Sequence, residues 1–146
     1  MPVYNPGSSS SAALVSDKKT LSSGDKTTTS TTFVDIDSGL NITLTTGVRR
    51  CIVTFSATGK NSGAGNTAVD LDIDGARVGQ AYGLVVADGS TNKNFSYTFT
   101  TDVLTAGSHT FKPQFRVDGG TGTIFASTTI TPVFFSVAEL PLKDPS

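Results

Sequence analysis

Three aspartates at alternate positions, Asp70, Asp72 and Asp74, are followed directly by Gly75, the D-x-D-x-D-G opening of a calcium-binding loop. Such a row could offer a hard divalent cation several oxygen ligands. An EF-hand loop, however, closes on a bidentate glutamate at its twelfth position, and counted from Asp70 that position is Ala81. The residues between the aspartates, Leu71 and Ile73, continue a period of two from Val69, so the stretch is a strand and has no helical flanks. It reads as a solvated acidic face ending in Asp74-Gly75, a type I′ hairpin turn that needs positive φ. No metal is expected within one chain. Three copies of an aspartate meeting at a trimer axis remain one way to share a cation.

Other candidates for chemistry are few. His109 is the single histidine and the one side chain whose ordinary pKa suits general-base work near neutrality. Its neighbour Ser108 is a conceivable nucleophile, but adjacent strand residues point to opposite faces, and alternation places His109 with Phe111 and Phe115. A partly buried structural histidine is expected. Asp35, Asp37, Asp70 and Asp72 could cluster as paired carboxylates for glycoside hydrolysis, yet all occupy outward strand or turn positions where solvation keeps them ordinary acids. Cys51 lies in an apolar register and reads as a core residue. The stretch from Gly59 to Asn66 reads as a loop, too glycine-rich for regular structure, and lacks the G-K-[ST] of a phosphate loop. The expectation is a protein that is not an enzyme, with no catalytic, metal or cofactor site.

Composition narrows the class further. The 146 residues carry a formal net charge of −1 with 16% charged side chains, which gives no electrostatic case for nucleic acid or an anionic membrane. Arg49-Arg50 is too small a basic patch for a nucleic-acid footprint. One cysteine rules out an intramolecular disulfide. The first 25 residues hold no apolar run longer than Ala12–Val15, so a secretory signal is not expected, nor is a membrane span of about 20 apolar residues. Synthesis in a cytoplasm is expected, with lysis left open as a route out of the cell.

These side chains must be positioned by strands. Threonine and serine supply 23 and 17 residues and glycine 15, so β-branched and turn residues dominate. Residues 1–26 read as an extended N-terminal arm without strand or helix period. Its large apolar groups, Val3, Tyr4, Leu14, Val15 and Leu21, are spaced to anchor in separate grooves of a neighbouring subunit or other partner surface. Residues 27–140 read as one antiparallel β-sandwich of about eight or nine strands, jelly-roll-like, and 141–146 as a C-terminal tail. Cys51–Thr58, Asn94–Thr100 and His109–Val117 each alternate apolar and polar. The run Val133, Phe134 and Phe135 suggests burial on both faces, one of them at an oligomer interface.

The assembled pattern is a threonine-rich entry strand, "RRCIVTFSATGKNSG", "LDIDGARVG", "LTAGSHTFKPQFRVDGGTGTI" and a closing "FFSVAEL". It resembles the small sandwich domains of tailed-phage virion proteins. These include capsid decoration (cement) proteins and fibre-tip modules with jelly rolls of the tumour-necrosis-factor kind. The resemblance spans residues 28–140 and lies in strands and turns, with no catalytic residue to carry over. It implies a homotrimer in a virion, binding the major capsid protein or other virion proteins. A decoration protein that stabilises the outer capsid is the first expectation, because the chain is one compact module without a shaft. A receptor-binding fibre tip recognising host-surface glycans is the second.

Overall fold

A computed structural model describes residues 13–129 and 131–142. They form twelve strands and a single 3₁₀ turn. In chain order these are β1 (Ser16–Leu21), β2 (Lys26–Thr28), β3 (Val34–Asp35), the turn Ser38–Leu40, β4 (Ile42–Thr46), β5 (Cys51–Asn61) and β6 (Asn66–Ile73). Then follow β7 (Ala76–Arg77), β8 (Val85–Asp88), β9 (Lys93–Thr100), β10 (Gly107–Val117), β11 (Gly122–Ile124) and β12 (Val133–Glu139). All pairings are antiparallel. Among the described residues no helix is long and apolar enough to cross a membrane.

Several short strands are halves of one interrupted strand. β11 and β12 both pair with the same edge of β5, and β2 and β1 pair with them in turn. β3 and β4 share one edge of β10, while β7 and β8 share one edge of β6. Merged in this way, the sandwich has eight strands. The first sheet runs β1/β2, β11/β12, β5, β9, and the second runs β3/β4, β10, β6, β7/β8. First pairs with last, second with seventh, third with sixth and fourth with fifth, which is the nested pairing of a jelly roll.

One interruption has a clear chemical cause. Pro113 sits inside β10 and has no N–H to donate. Its carbonyl accepts from Ile36 N at 3.0 Å, so its nitrogen faces the same side, where β3 has ended and β4 has not begun. The 3₁₀ turn fills that gap and buries Leu40.

The core lies between the sheets. Phe55, Phe95, Phe111 and Phe135 are its largest fully buried side chains. The alternation read in β5, β9 and β10 sets the inward positions of the first three.

Three expectations need correction. Residues assigned to the arm include β1, a full partner of β12, and Val15 and Leu21 pack against the core. Leu14 remains exposed, whereas Val3 and Tyr4 lie outside the described residues, as does 143–146 of the expected tail. Within the single chain the Val133–Phe135 run is buried on one face only: Val133 and Phe135 are wholly inside and so cannot line an interface, while Phe134 points outward and is 51% exposed. Strand alternation is obeyed even here, and among the described residues no layer covers the outer face of β12. Finally, the stretch from Gly59 to Asn66 is not all loop, since β5 continues to Asn61 and β6 starts at Asn66.

Candidate functional site

The aspartate row is the first surprise. Asp70 is fully buried and Asp72 nearly so, rather than solvated. Their strand, β6, lies inside the second sheet between β10 and β7/β8. The edge strand supplies the cover. Between Val78, whose N–H bonds Leu71 O, and Leu84, whose N–H bonds Val69 O, residues Gly79–Gly83 leave the ladder as a bulge. This bulge folds back over the outer face of the sheet. Asp70 Oδ1 accepts from Leu71 N at 2.7 Å and Gly79 N at 2.9 Å, and Oδ2 pairs with Arg77 Nη1 at 2.5 Å. The same Nη1 donates to Gln80 O at 3.2 Å. A buried carboxylate thus clasps the bulge with two charge-assisted interactions.

Glycine is needed at both ends of that fold. A Cβ on Gly79 would sit 2.6 Å from Asp70 Oδ1, and one on Gly83 (φ 72°) would sit 2.6 Å from Val69 O. No side chain can be accommodated at such distances.

Beneath the bulge is a hollow of about 250 Å³ lined by Thr31, Thr32, Phe33, Arg77, Ala81 and Arg116. Phe33 sits beside both guanidinium groups, 4.3 Å from Arg77 Cζ and 5.5 Å from Arg116 Cζ. Arg116 also lies 5.1 Å from the Tyr82 ring, at the tip of the bulge. A second hollow of about 330 Å³ starts at Tyr82 and runs along Asn66, Val86, Ala87 and Asp88. The two arginines differ in charge balance. Arg77 is neutralised by Asp70. Arg116 has no carboxylate partner among the described residues. Its Nη1 donates to Thr31 O at 3.0 Å and its Nε is buried without a partner.

The other candidate acids each have a separate partner. Asp35 accepts from Gln114 and Asn41 and lies 3.6 Å from Lys112. Burial pushes its carboxyl up, but these contacts outweigh burial and hold it below the ordinary range. Asp37 pairs with Lys26 at 3.3 Å, and Asp72 accepts from Gly75 N at 2.9 Å. Among the described residues no three His, Cys, Asp or Glu side chains gather so as to hold a metal ion.

Asp74 and Gly75 have φ of 55° and 89°, the two positive values of a type I′ turn. The Asp74 side chain reaches across to β10, where Oδ1 accepts from Thr110 N at 2.8 Å and Oδ2 meets His109 Nδ1 at 2.6 Å. His109 Nε2 meets Thr105 O at 2.7 Å. Both ring nitrogens therefore face acceptors, and both are satisfied only as donors, in the imidazolium form. The Asp74 hydrogen bond, then the Thr105 carbonyl, raise the His109 pKa against the opposing effect of burial. With no free lone pair, His109 acts as a clamp on the turn rather than as a base.

Cys51 is buried, and burial together with the Glu139 charge raises its thiol pKa to about 11. Glu139 itself ties three segments together, accepting from Val15 N at 2.8 Å and Gly47 N at 2.9 Å beside Arg49.

Phe33, Arg77, Tyr82 and Arg116 were not singled out by the sequence. One sign was present: Gly79 and Gly83 bracket "GQAYG" in the middle of a strand region, the mark of a bulge or close backbone approach. No protein-family model matches the chain, and no curated protein matches it significantly.

Proposed function

We propose that the chain is a non-enzymatic virion protein, a capsid decoration (cement) protein that binds the outer capsid as a homotrimer and stabilises it. The reading is carried by the outer face of the first sheet. Its three central ladder rows are Thr20, Phe134, Ser56 and Ser96; Lys18, Ser136, Thr54 and Thr98; Ser16, Ala138, Ile52 and Thr100. Lys18 is the one charge in these rows, and Lys60 follows on the same face beside Thr123 and Thr27. A surface so poor in charge can meet copies of itself with little like-charge repulsion, and the half-exposed Phe134 supplies an apolar anchor near its centre. Full burial of such a side chain contributes about 1.5–3 kcal/mol per subunit.

Light scattering on the purified chain, followed by sedimentation with empty capsids, tests the proposal. A trimer that co-sediments and raises the capsid's melting temperature is expected. A stable monomer that leaves capsids unchanged would end it.

A second reading, a fibre-tip protein recognising host-surface glycans, is favoured by the pair of hollows around Tyr82 and Arg116. Such a protein would adsorb to host cells and ignore empty capsids.

A further inference from the structure

We propose that the hollow under the Gly79–Gly83 bulge binds the carboxylate of an acidic sugar, with Arg116 as the carboxylate-binding group. The choice of a saccharide as carrier rests on the fibre-tip reading; the anion site rests on the geometry alone.

Arg49, Arg50 and Arg77 all have carboxylate partners. Arg116, the fourth arginine of the chain, has none among the described residues. Asp118 feels its charge, but the Asp118 oxygens are taken by Asn66 N at 2.6 Å and Nδ2 at 2.8 Å. The guanidinium is nevertheless fixed, by the Phe33 and Tyr82 rings and by one hydrogen bond to Thr31 O. A planar donor held by aromatic contacts, with its charge unspent, is pre-organised for a carboxylate. The cost of ordering the side chain has already been met on folding, so less is lost when a ligand arrives.

The shape of the site favours a small carrier over a protein side chain. The hollow is concave, and Arg116 on its wall lies 5.1 Å from the half-exposed Tyr82 ring, which lines the second hollow with Asn66 and Asp88. An apolar ring with a few fixed polar groups around a concavity is the usual make-up of a small-molecule site. Two hollows linked through the Arg116–Tyr82 contact suit consecutive sugar units, the acidic one against Arg116. Arg77 does not compete for the anion, because Asp70 already neutralises it.

The test is titration of the full-length protein with sodium glucuronate, with glucose and N-acetyl-aspartate amide as parallel probes, read by NMR shifts of Phe33 and Tyr82. Saturable glucuronate binding is expected, at least tenfold tighter than glucose. Arg116→Gln should weaken it at least tenfold. Arg116→Lys should weaken it nearly as much, because a point charge does not reproduce the planar fork. Tyr82→Ala, at an exposed position outside the core, is the second variant should Arg116→Gln fail to fold, and it should weaken glucuronate at least threefold. Equal response to glucose and glucuronate, full affinity in Arg116→Lys, or tighter binding of the aspartate derivative would each overturn the proposal. Adsorption to host cells separates the two layers. Wild-type protein that adsorbs to cells but does not bind glucuronate removes this site and leaves the fibre-tip reading standing. Glucuronate binding without adsorption supports the anion site and removes the cellular role.

Discussion

The two outer faces of the sandwich are built from the same alternation yet carry opposite chemistry. The first sheet presents hydroxyls, Ala138, Ile52 and Phe134, with Lys18 as the charge in its three central rows. The second presents Asp35, Lys112, Gln114, Asp70 and Arg116, and no stretch of that kind can be left simply open or simply buried. Its charges recruit cover from the same chain: the bulge over Asp70 and Phe33 against the arginines. Charge on a strand face draws in local loops, while the near-neutral face is left uncovered by the described residues and open to another molecule. Loss of a residue from the second face should therefore damage the monomer, and change on the first should damage only assembly.

The largest effect is expected at Asp70. Asp70→Ala strands Arg77 and removes the acceptor of two backbone N–H groups, so stability should fall by about 3 kcal/mol. Chemical denaturation measures this directly. A loss below about 0.5 kcal/mol, the range of a neutral surface change, would mean that the bulge is not held by its carboxylate.

Gly75→Val comes next. A β-branched residue at φ 89° costs on the order of 1–3 kcal/mol. The thermal midpoint should drop without any change in oligomer mass in the folded state. Coupled loss of mass would place this turn in an interface and blur the distinction between the faces.

Phe134→Asp should leave monomer stability within about 0.5 kcal/mol, because the ring is outside the core. Light scattering should show the mass falling from trimer to monomer. A variant that keeps the full trimer mass would remove the first sheet from the interface.

How far the sequence carried this picture depends on what each residue answers to. Alternation in β9 and β10 placed Phe95, Phe111 and Phe115 inside because one face of each strand meets the other sheet and nothing local opposes it. The Asp74-Gly75 turn was legible for the same reason: its φ values are a two-residue matter. Asp70 was not. Its burial depends on a bulge nine residues later curling back, and strand period says nothing about what covers an outer face. The β1 strand was missed because "SDKKTL" is half charged, and it is a strand only through pairing with β12, more than a hundred residues away. Arg116 read as one more outward polar residue; its aromatic neighbours come from two separate loops.

The smallest effect concerns pH, and it isolates one clamp at the Asp74-Gly75 turn of the second sheet. His109 is the only histidine, and the Cys51 thiol is raised to about 11, so between pH 6 and 8 His109 is the described side chain expected to titrate. Its folded pKa is raised, chiefly by the Asp74 hydrogen bond. The stability it contributes is thus fully present below its ordinary value of about 6.5 and is lost as pH rises through the folded value. For Asp74, burial pushes upward but is outweighed by hydrogen bonds from His109 and Thr110 N, so its folded pKa is lowered. Its contribution is present above the ordinary carboxylate value of about 3.9 and is lost as pH falls further. The pair is therefore strongest between these limits. Because the Asp74 side chain is 45% exposed, solvent screening keeps the contribution at about 1 kcal/mol or less. The melting temperature should decline gently from pH 6 to pH 8, and His109→Gln and Asp74→Asn should each flatten that slope. A slope that survives both substitutions would assign the pH response to another group and leave the turn held by its backbone geometry alone.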